Sequence, residues 1–344
     1  MKWERLAGGA PLPGSTENSS VLFLEPSEKL FALLSGILDA NISYRELFRE
    51  GCLLVLANGK KTGGKHLCLL TPDWTLVYRS PEAVLRVTPG GVDAKAIEDG
   101  RLVWVDDCFY LWYCGYNGQE GRACMAWSRD LLHWEKEAPL GGDLAAEQNK
   151  DHVIFPEKIG GQYYLLHRPW GEALFPDRYN MPIRLATAQD LRGGNWKDLG
   201  VLLYPQENPD HRDDWLGAGA APIPLLAGRY LMLYHNAWYE KDGYRQYHLS
   251  AAILDFNRGN PELLESLVTH RLESILRPED DFPNEVNEAL RISIVFPMSG
   301  WKSGDWLYVA YGAGDKVTCV ARVQWNALLA ELENHPVQLR EERR

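Results

Sequence analysis

The sequence predicts an all-β protein, a five-bladed β-propeller with short helical additions at its N- and C-terminal ends. Three observations carry this expectation. Short runs rich in Val, Leu, Tyr and Trp recur along most of the chain, bounded by Gly, Asn and Asp, which is the chemistry of strands and turns. The runs share one grammar: an apolar strand, a tight turn (DD, GG, AG, SG), a second strand rich in Tyr and Leu, a loop and a third strand. The units repeat at roughly 50–70 residues, a spacing that points to radially arranged sheets.

In order, the first unit is the least regular: CLLVLANG (52–59), HLCLLTP (66–72) and TLVYRS (75–80). Residues 1–45 ahead of it read as an N-terminal extension, with helical apolar spacing in PSEKLFALLSGILDA (26–40). The second unit joins RLVWVDDCFYLWYCGYN (101–117) to ACMAWSRDLLHWEKE (123–137). The third joins HVIFPEKIGGQYYLLHRPW (152–170) to IRLATAQDLRGGNWKDLG (183–200), and the fourth joins APIPLLAGRYLMLYHNAWY (221–239) to YHLSAAILDF (247–256). The fifth joins ISIVFPMSGWKSGDWLYVAYGAGD (292–315) to VTCVARVQW (317–325), before a helical NALLAELENH. The whole, 1–344, reads as a single domain.

Thirty-six basic and 47 acidic residues give a net charge of −11. That argues against a nucleic-acid or anionic-membrane surface, since both need clustered cations. No apolar run approaches the roughly 18 residues of a spanning helix, and the start lacks the apolar core of a signal peptide. The six cysteines (52, 68, 108, 114, 124, 319) form no CxxC and sit mostly in apolar runs, as buried thiols of a cytoplasmic protein do. No metal site is expected. GAGAAP (217–222) lacks the following helix of a nucleotide site and reads as a close-approach turn. HRDDW (211–215) reads as an exposed loop.

A propeller gathers one end of its innermost strands around a central channel. Glu98-Asp99, Lys158, His167-Arg168, Tyr234-His235 and Tyr311/Asp315 fall at such points. Glu98, Arg101, Tyr116, Tyr311 and Asp315 are candidate substrate-binding residues, and Trp170, Trp238 and Tyr116 also follow strand ends. These segments carry a resemblance. IEDGR, FPEKIGGQYYLLHRP, GAGAAPIPLLAGRYLMLYHN and IVFPMSGWKSGDWLYVAYGAGD, in that order over 96–325, resemble glycoside hydrolase family 130, the β-mannoside phosphorylases and related mannosidases.

The resemblance implies five-bladed propellers and inverting phosphorolysis of a β-mannoside to α-mannose 1-phosphate. Phosphate is then co-substrate and nucleophile, no cofactor is needed, and one protein acid suffices. That acid is Asp99, thought to work through the sugar's 3-hydroxyl; Glu98 either keeps it protonated by like-charge coupling or binds a hydroxyl. The implied phosphate ligands are Lys158 and Arg168, with Arg122 and His235 as further matches, and Asp315 would contact the glycone mannose. Gly100 stands where the family has Pro, Asn236 where it has Gly, and Asn58 lies near its first-unit Arg. A hydrolase on the same fold would need a carboxylate base, for which Glu172, Glu285 and Glu288 are candidates. A non-catalytic sugar-binding propeller is the alternative from another class. Linkage, acceptor and oligomeric state, a homo-oligomer included, stay open.

Overall fold

The computed structural model describes residues 1–6, 18–58, 64–145, 147–170, 180–206, 208, 210–258, 263–279 and 281–337. Antiparallel strands dominate, with helices at Glu28–Ile37, Tyr44–Leu47 and Trp325–Glu333 among the described residues. The Ser27 side chain caps the first helix by accepting from the Leu30 N–H, satisfying one of its orphan donors.

Three sheets are four-stranded meanders. The first orders Ser20–Leu24, Cys52–Asn58, Lys65–Leu70 and Leu76–Arg79. The second orders Ala96–Val105, Cys108–Tyr116, Gly121–Ser128 and Glu135–Glu137. The third orders Asn149–Ile154, Tyr163–Pro169, Ile183–Ala188 and Lys197–Leu203. The fourth sheet is eleven-stranded and contains two further meanders. One runs through His211–Ala218, Arg229–Glu240, Arg245–Asp255 and Val268–Leu276; the other through Ile292–Ser303, Trp306–Ala313 and Val317–Gln324. A parallel ladder of Arg245–Tyr247 with Ile292–Ile294 joins them.

Two stretches within residues 1–45 are built into the sheets. Trp3–Arg5 pairs with Ala321–Val323 as the outer strand of the last meander, and Ser20–Leu24 is the first strand of the first sheet. Apolar alternation explains both placements: Trp3 packs with Val323, while Val21 packs with Leu53 and Val55. HRDDW also departs from expectation, since it opens the strand His211–Ala218, whose backbone bonds go to Arg229–Glu240.

The near-continuous apolar runs follow from sheets buried on both faces. In Cys108–Tyr116, Tyr110 and Trp112 pack with Leu165, Leu185 and Trp196 of the third sheet. Phe109, Leu111 and Tyr113 pack with Leu54, Leu56 and Leu67 of the first. Successive side chains point to opposite faces, so the strand has no polar side to offer water. Tyr230 and Met232 pack with the third sheet's residues, Leu231 and Leu233 with Val309 and Tyr311, and Ala310 and Val320 return to Val21 and Val55. The first strands of the meanders meet as well: Ser20–Leu24 touches Ala96–Val105 and Ile292–Ser303, and Asn149–Ile154 touches Ala96–Val105 and His211–Ala218. Their ends converge on one place, where the site forms. All six cysteines are free and buried. No described helix is long and apolar enough to cross a membrane.

Candidate active site

A cavity of about 260 Å³ opens where those strand ends meet. Its wall takes Asn18 and Asn58 from the first sheet's side, Glu98 and Asp99 from the second, and Lys150 from the third; Arg245, Tyr247, Ile294, Phe296 and Asp315 come from the fourth. Three larger clefts, about 540, 590 and 630 Å³, hold none of the predicted site residues.

Local backbone geometry aims the charged groups. The ladder between Ala96–Val105 and Cys108–Tyr116 slips between Glu98 and Arg101, and Asp99 takes φ 47°. The same slip recurs between Lys150 and Val153 on the first strand of the third sheet, where Asp151 takes φ 53°. Bulges re-aim side chains at a strand end, and Asp tolerates the left-handed region better than most residues. Both Asp residues therefore occupy corresponding places.

Asp99 is fixed from three sides. Asn18 Nδ2 donates to its Oδ1 at 2.9 Å, and Arg101 Nη1 donates to its backbone carbonyl at 2.5 Å. Gly100 is crowded: a Cβ there would lie 2.5 Å from Ser20 Oγ and 2.8 Å from Leu111 Cδ1. The glycine is thus a close-packing residue between the first and second sheets, not a loosening of the turn. Gly100→Ala is expected to lower stability by about 1–3 kcal/mol through overpacking, with Ser20→Gly restoring part of the loss. Thermal unfolding of the single and double variants checks this, and an unchanged midpoint in the single variant would refute it.

Behind the cavity, Asp151 is buried and shared by two guanidiniums. Arg168 Nε and Nη2 donate to its Oδ2 at 2.9 and 2.7 Å, while Arg101 Nη2 lies 3.5 Å from Oδ1. Burial works against the Asp151 charge, but Arg168, His235 and Arg101 hold its carboxyl well below the usual carboxylate range. The other Arg101 donors go to the Gly219 and Ala218 carbonyls, at 3.0 and 2.8 Å. Gly217 explains part of GAGAAP: a Cβ there would collide with the Asp151 carboxylate and the His235 ring. Burial pushes His235 down to about 3, ahead of the opposing pull of Asp151, so its imidazole is neutral at ordinary pH. Its ring lies 4.6 Å from that of Phe296 and 5.4 Å from that of Tyr247.

Lys150 Nζ sits 3.5 Å from Glu98 Oε2 and 5.4 Å from the centre of the Trp170 ring. Burial disfavours its charge, yet Asp99 and Glu98 hold the ammonium above the ordinary lysine value. Glu98 is shifted up, by burial first and the adjacent Asp99 second. Asp315 is also raised by burial, against the pull of Arg245.

The structure gathers Glu98, Asp99 and Asp315 at the cavity and sets Arg101, Arg168 and His235 behind it. It does not bring Lys158 there. Lys158 is exposed on the turn at the other end of the third sheet, 4.6 Å over the Tyr163 ring, and Tyr163 donates to Asp106 at the far end of the Asp99 strand. Seven residues at ~3.3 Å each put about 20 Å between the two ends. Arg122 is held by Glu120 at 2.7 Å and the Ala145 carbonyl at 3.2 Å. Tyr116 sits half-buried at its strand end, outside the cavity wall. The Tyr311 hydroxyl donates to Glu285 at 2.6 Å, and Arg5 donates to the same carboxylate at 2.7 and 2.9 Å. Glu285 is therefore consumed by structure, Glu288 is exposed, and Glu172 lies outside the described residues. Trp238 stacks on His211 at 4.4 Å, away from the cavity.

Sequence reasoning missed Asn18, Lys150, Asp151, Arg245, Tyr247 and Phe296. For two of them a signal existed: NKDHVIF repeats the pattern of AIEDGRLVW, with a charged residue and then Asp ahead of an apolar run.

Several known proteins are similar to this chain. The 1,2-beta-oligomannan phosphorylase of Thermoanaerobacter sp. (strain X514) is 32% identical over 232 residues, covering 67% of this chain and 68% of the relative. The Beta-1,2-mannobiose phosphorylase of Listeria innocua is 31% identical over 239 residues, 69% of this chain and 60% of that protein. A solved structure of the Listeria innocua enzyme with beta-1,2-mannobiose superposes with a TM-score of 0.63 at 23% identity, over 85% of this chain and 74% of that one. Another, of GH130 glycoside hydrolases that target beta-1,2 mannosidic linkages, gives 0.67 at 18% identity, over 94% of each chain. The family model described as beta-1,4-mannooligosaccharide phosphorylase matches residues 79–334, and the chain belongs to that family, glycoside hydrolase family 130.

Proposed function

We propose that this protein is an inverting β-mannoside phosphorylase, working on β-1,2-linked mannosides from a single five-bladed propeller domain. The observation that carries this is the placement of Asp99 and Lys150 on neighbouring inner strands of one cavity. Family membership and the names of the similar enzymes, three of them β-1,2-specific, support it.

In this reading phosphate attacks the anomeric carbon from the face opposite the leaving oxygen. The C–O bond breaks, and the leaving oxygen takes a proton that originates on Asp99, yielding α-mannose 1-phosphate and a shortened acceptor. Lys150 meets the phosphate. Arg101 and Arg168 share the single carboxylate of Asp151, so the wall behind Lys150 carries a net positive charge that favours an anion. Glu98 and Asp315 bind sugar hydroxyls. Hydrolysis needs a carboxylate base across from the acid, and Glu285 is tied to Arg5 and Tyr311. Six unpaired cysteines suit a reducing cytoplasm.

Reverse synthesis tests the reading: α-mannose 1-phosphate with a panel of acceptors should release phosphate and build β-1,2 products ahead of β-1,4. Equal release of free mannose with and without phosphate would sink it. Lys150→Met should raise KM for phosphate roughly 10–150-fold, the equivalent of a charge-assisted hydrogen bond of about 1.5–3 kcal/mol. An unchanged phosphate KM would remove Lys150 from this role.

A further inference from the structure

The cavity has a second cation, on the wall that the fourth sheet supplies. Arg245 opens the strand Arg245–Asp255, and its backbone is fixed by the parallel ladder to Ile292. Its guanidinium lies 5.4 Å from the Tyr247 ring centre, and Tyr239 takes one of its donors. Nη2 stands 3.8 Å from Asp315 Oδ2, well beyond the roughly 2.7–2.9 Å of a charge-assisted hydrogen bond. The two groups therefore face the same space without consuming each other. Nε is a buried donor with no hydrogen-bond partner among the described residues. Asp315 sits in the turn after Trp306–Ala313 at φ 51°, a conformation kept at some backbone cost.

We propose that Arg245 and Asp315 act as a donor–acceptor clamp on two adjacent hydroxyls of the glycone, making Arg245 a specificity-determining residue. This rests on reading the cavity as the sugar pocket. A guanidinium presents rigid, parallel donors and a carboxylate presents only acceptors. Together they match a vicinal diol, whose oxygens can donate to one and accept from the other. The clamp takes sugar rather than phosphate because Asp315 balances Arg245, whereas Lys150, balanced by Glu98, is backed in addition by two arginines sharing one carboxylate.

Calorimetry with methyl β-D-mannoside and, separately, inorganic phosphate tests this on the wild type, Arg245→Ala and Arg245→Lys. Arg245→Ala should weaken mannoside binding tenfold or more and leave phosphate within twofold, with Arg245→Lys between. If Arg245→Ala melts early, Arg245→Lys carries the comparison. Mannoside affinity within twofold in both variants overturns the clamp, as does a loss confined to phosphate or a wild type that binds no mannoside. A wild type that binds mannoside but makes no product from α-mannose 1-phosphate overturns the phosphorylase reading. In that case the variant series still decides the clamp.

Discussion

Replacing Asp99 by asparagine is expected to lower kcat about 10²–10⁴-fold, the usual contribution of a general acid, in phosphorolysis and synthesis alike. The variant keeps the shape of the side chain and its bond from Asn18 Nδ2, which goes to Oδ1. It removes the transferable proton together with the charge of the ionised form, which also acts on Lys150. The backbone is held independently by the Arg101 donation to the Asp99 carbonyl, so the melting temperature should stay within a few degrees. KM for the mannoside should change little, because an asparagine can still bond a hydroxyl. Glu98→Gln separates the two neighbouring carboxylates: it should act more weakly, since Glu98 shares Lys150 rather than Asn18. Steady-state kinetics at several pH values reads both. A variant at position 99 with more than a tenth of wild-type kcat would show that the acid lies elsewhere.

The largest effect on stability is expected at Asp151. Asp151→Asn leaves Arg101 and Arg168 buried without their common counter-charge, and breaking a buried pair this way costs about 3–5 kcal/mol. The pH dependence has a definite sign. The Asp151 carboxyl lies below its ordinary value in the folded protein because Arg168, His235 and Arg101 outweigh burial. Its contribution is therefore fully present above its unfolded pKa of about 3.9 and is lost as the pH falls below that. Chemical denaturation should show the full gap between wild type and Asp151→Asn at pH 7, narrowing only below about pH 4. His235 adds no step near neutrality, since burial keeps its imidazole neutral down to about 3. A gap under about 1 kcal/mol at pH 7 would mean that the arginines find other partners.

How much of this was legible depended on whether neighbours in space were also neighbours in sequence. Asp99 was readable because IEDGR is one contiguous stretch at a strand mouth. The unbroken apolar run FYLWYC marked a strand, and Trp112 and Tyr113 pack against different neighbouring sheets. Lys158 misled because FPEK matches as a motif while its lysine sits past the end of its strand, on the turn remote from the cavity. Lys150 could have been found by laying NKDHVIF on AIEDGRLVW, for a repeat places like residues at like positions. Asn18 and Arg245 could not. Each reaches the cavity only through the register of a sheet, one ahead of Ser20–Leu24 and one on an extended edge paired with Ile292. The strand Trp3–Arg5 escaped for the same reason: three residues gain a structural meaning only from the partner they pair with.

The ladder between Arg245–Tyr247 and Ile292–Ile294 has a mechanical consequence. It turns the last two meanders into one stiff plate, and Asn180–Met181, pairing with Asp214–Trp215, ties the third sheet's connection to that plate. The first and second sheets share no backbone ladder with a neighbour among the described residues, so their seams are held by side-chain packing and by side-chain hydrogen bonds such as Asn18 to Asp99 and Arg101 to the Ala218 and Gly219 carbonyls. Arg245, Tyr247 and Phe296 ride on the plate, while Glu98 and Asp99 ride on the second sheet. The cavity therefore lies on a seam that no backbone ladder crosses among the described residues, with Arg101 reaching over it to the Ala218 and Gly219 carbonyls.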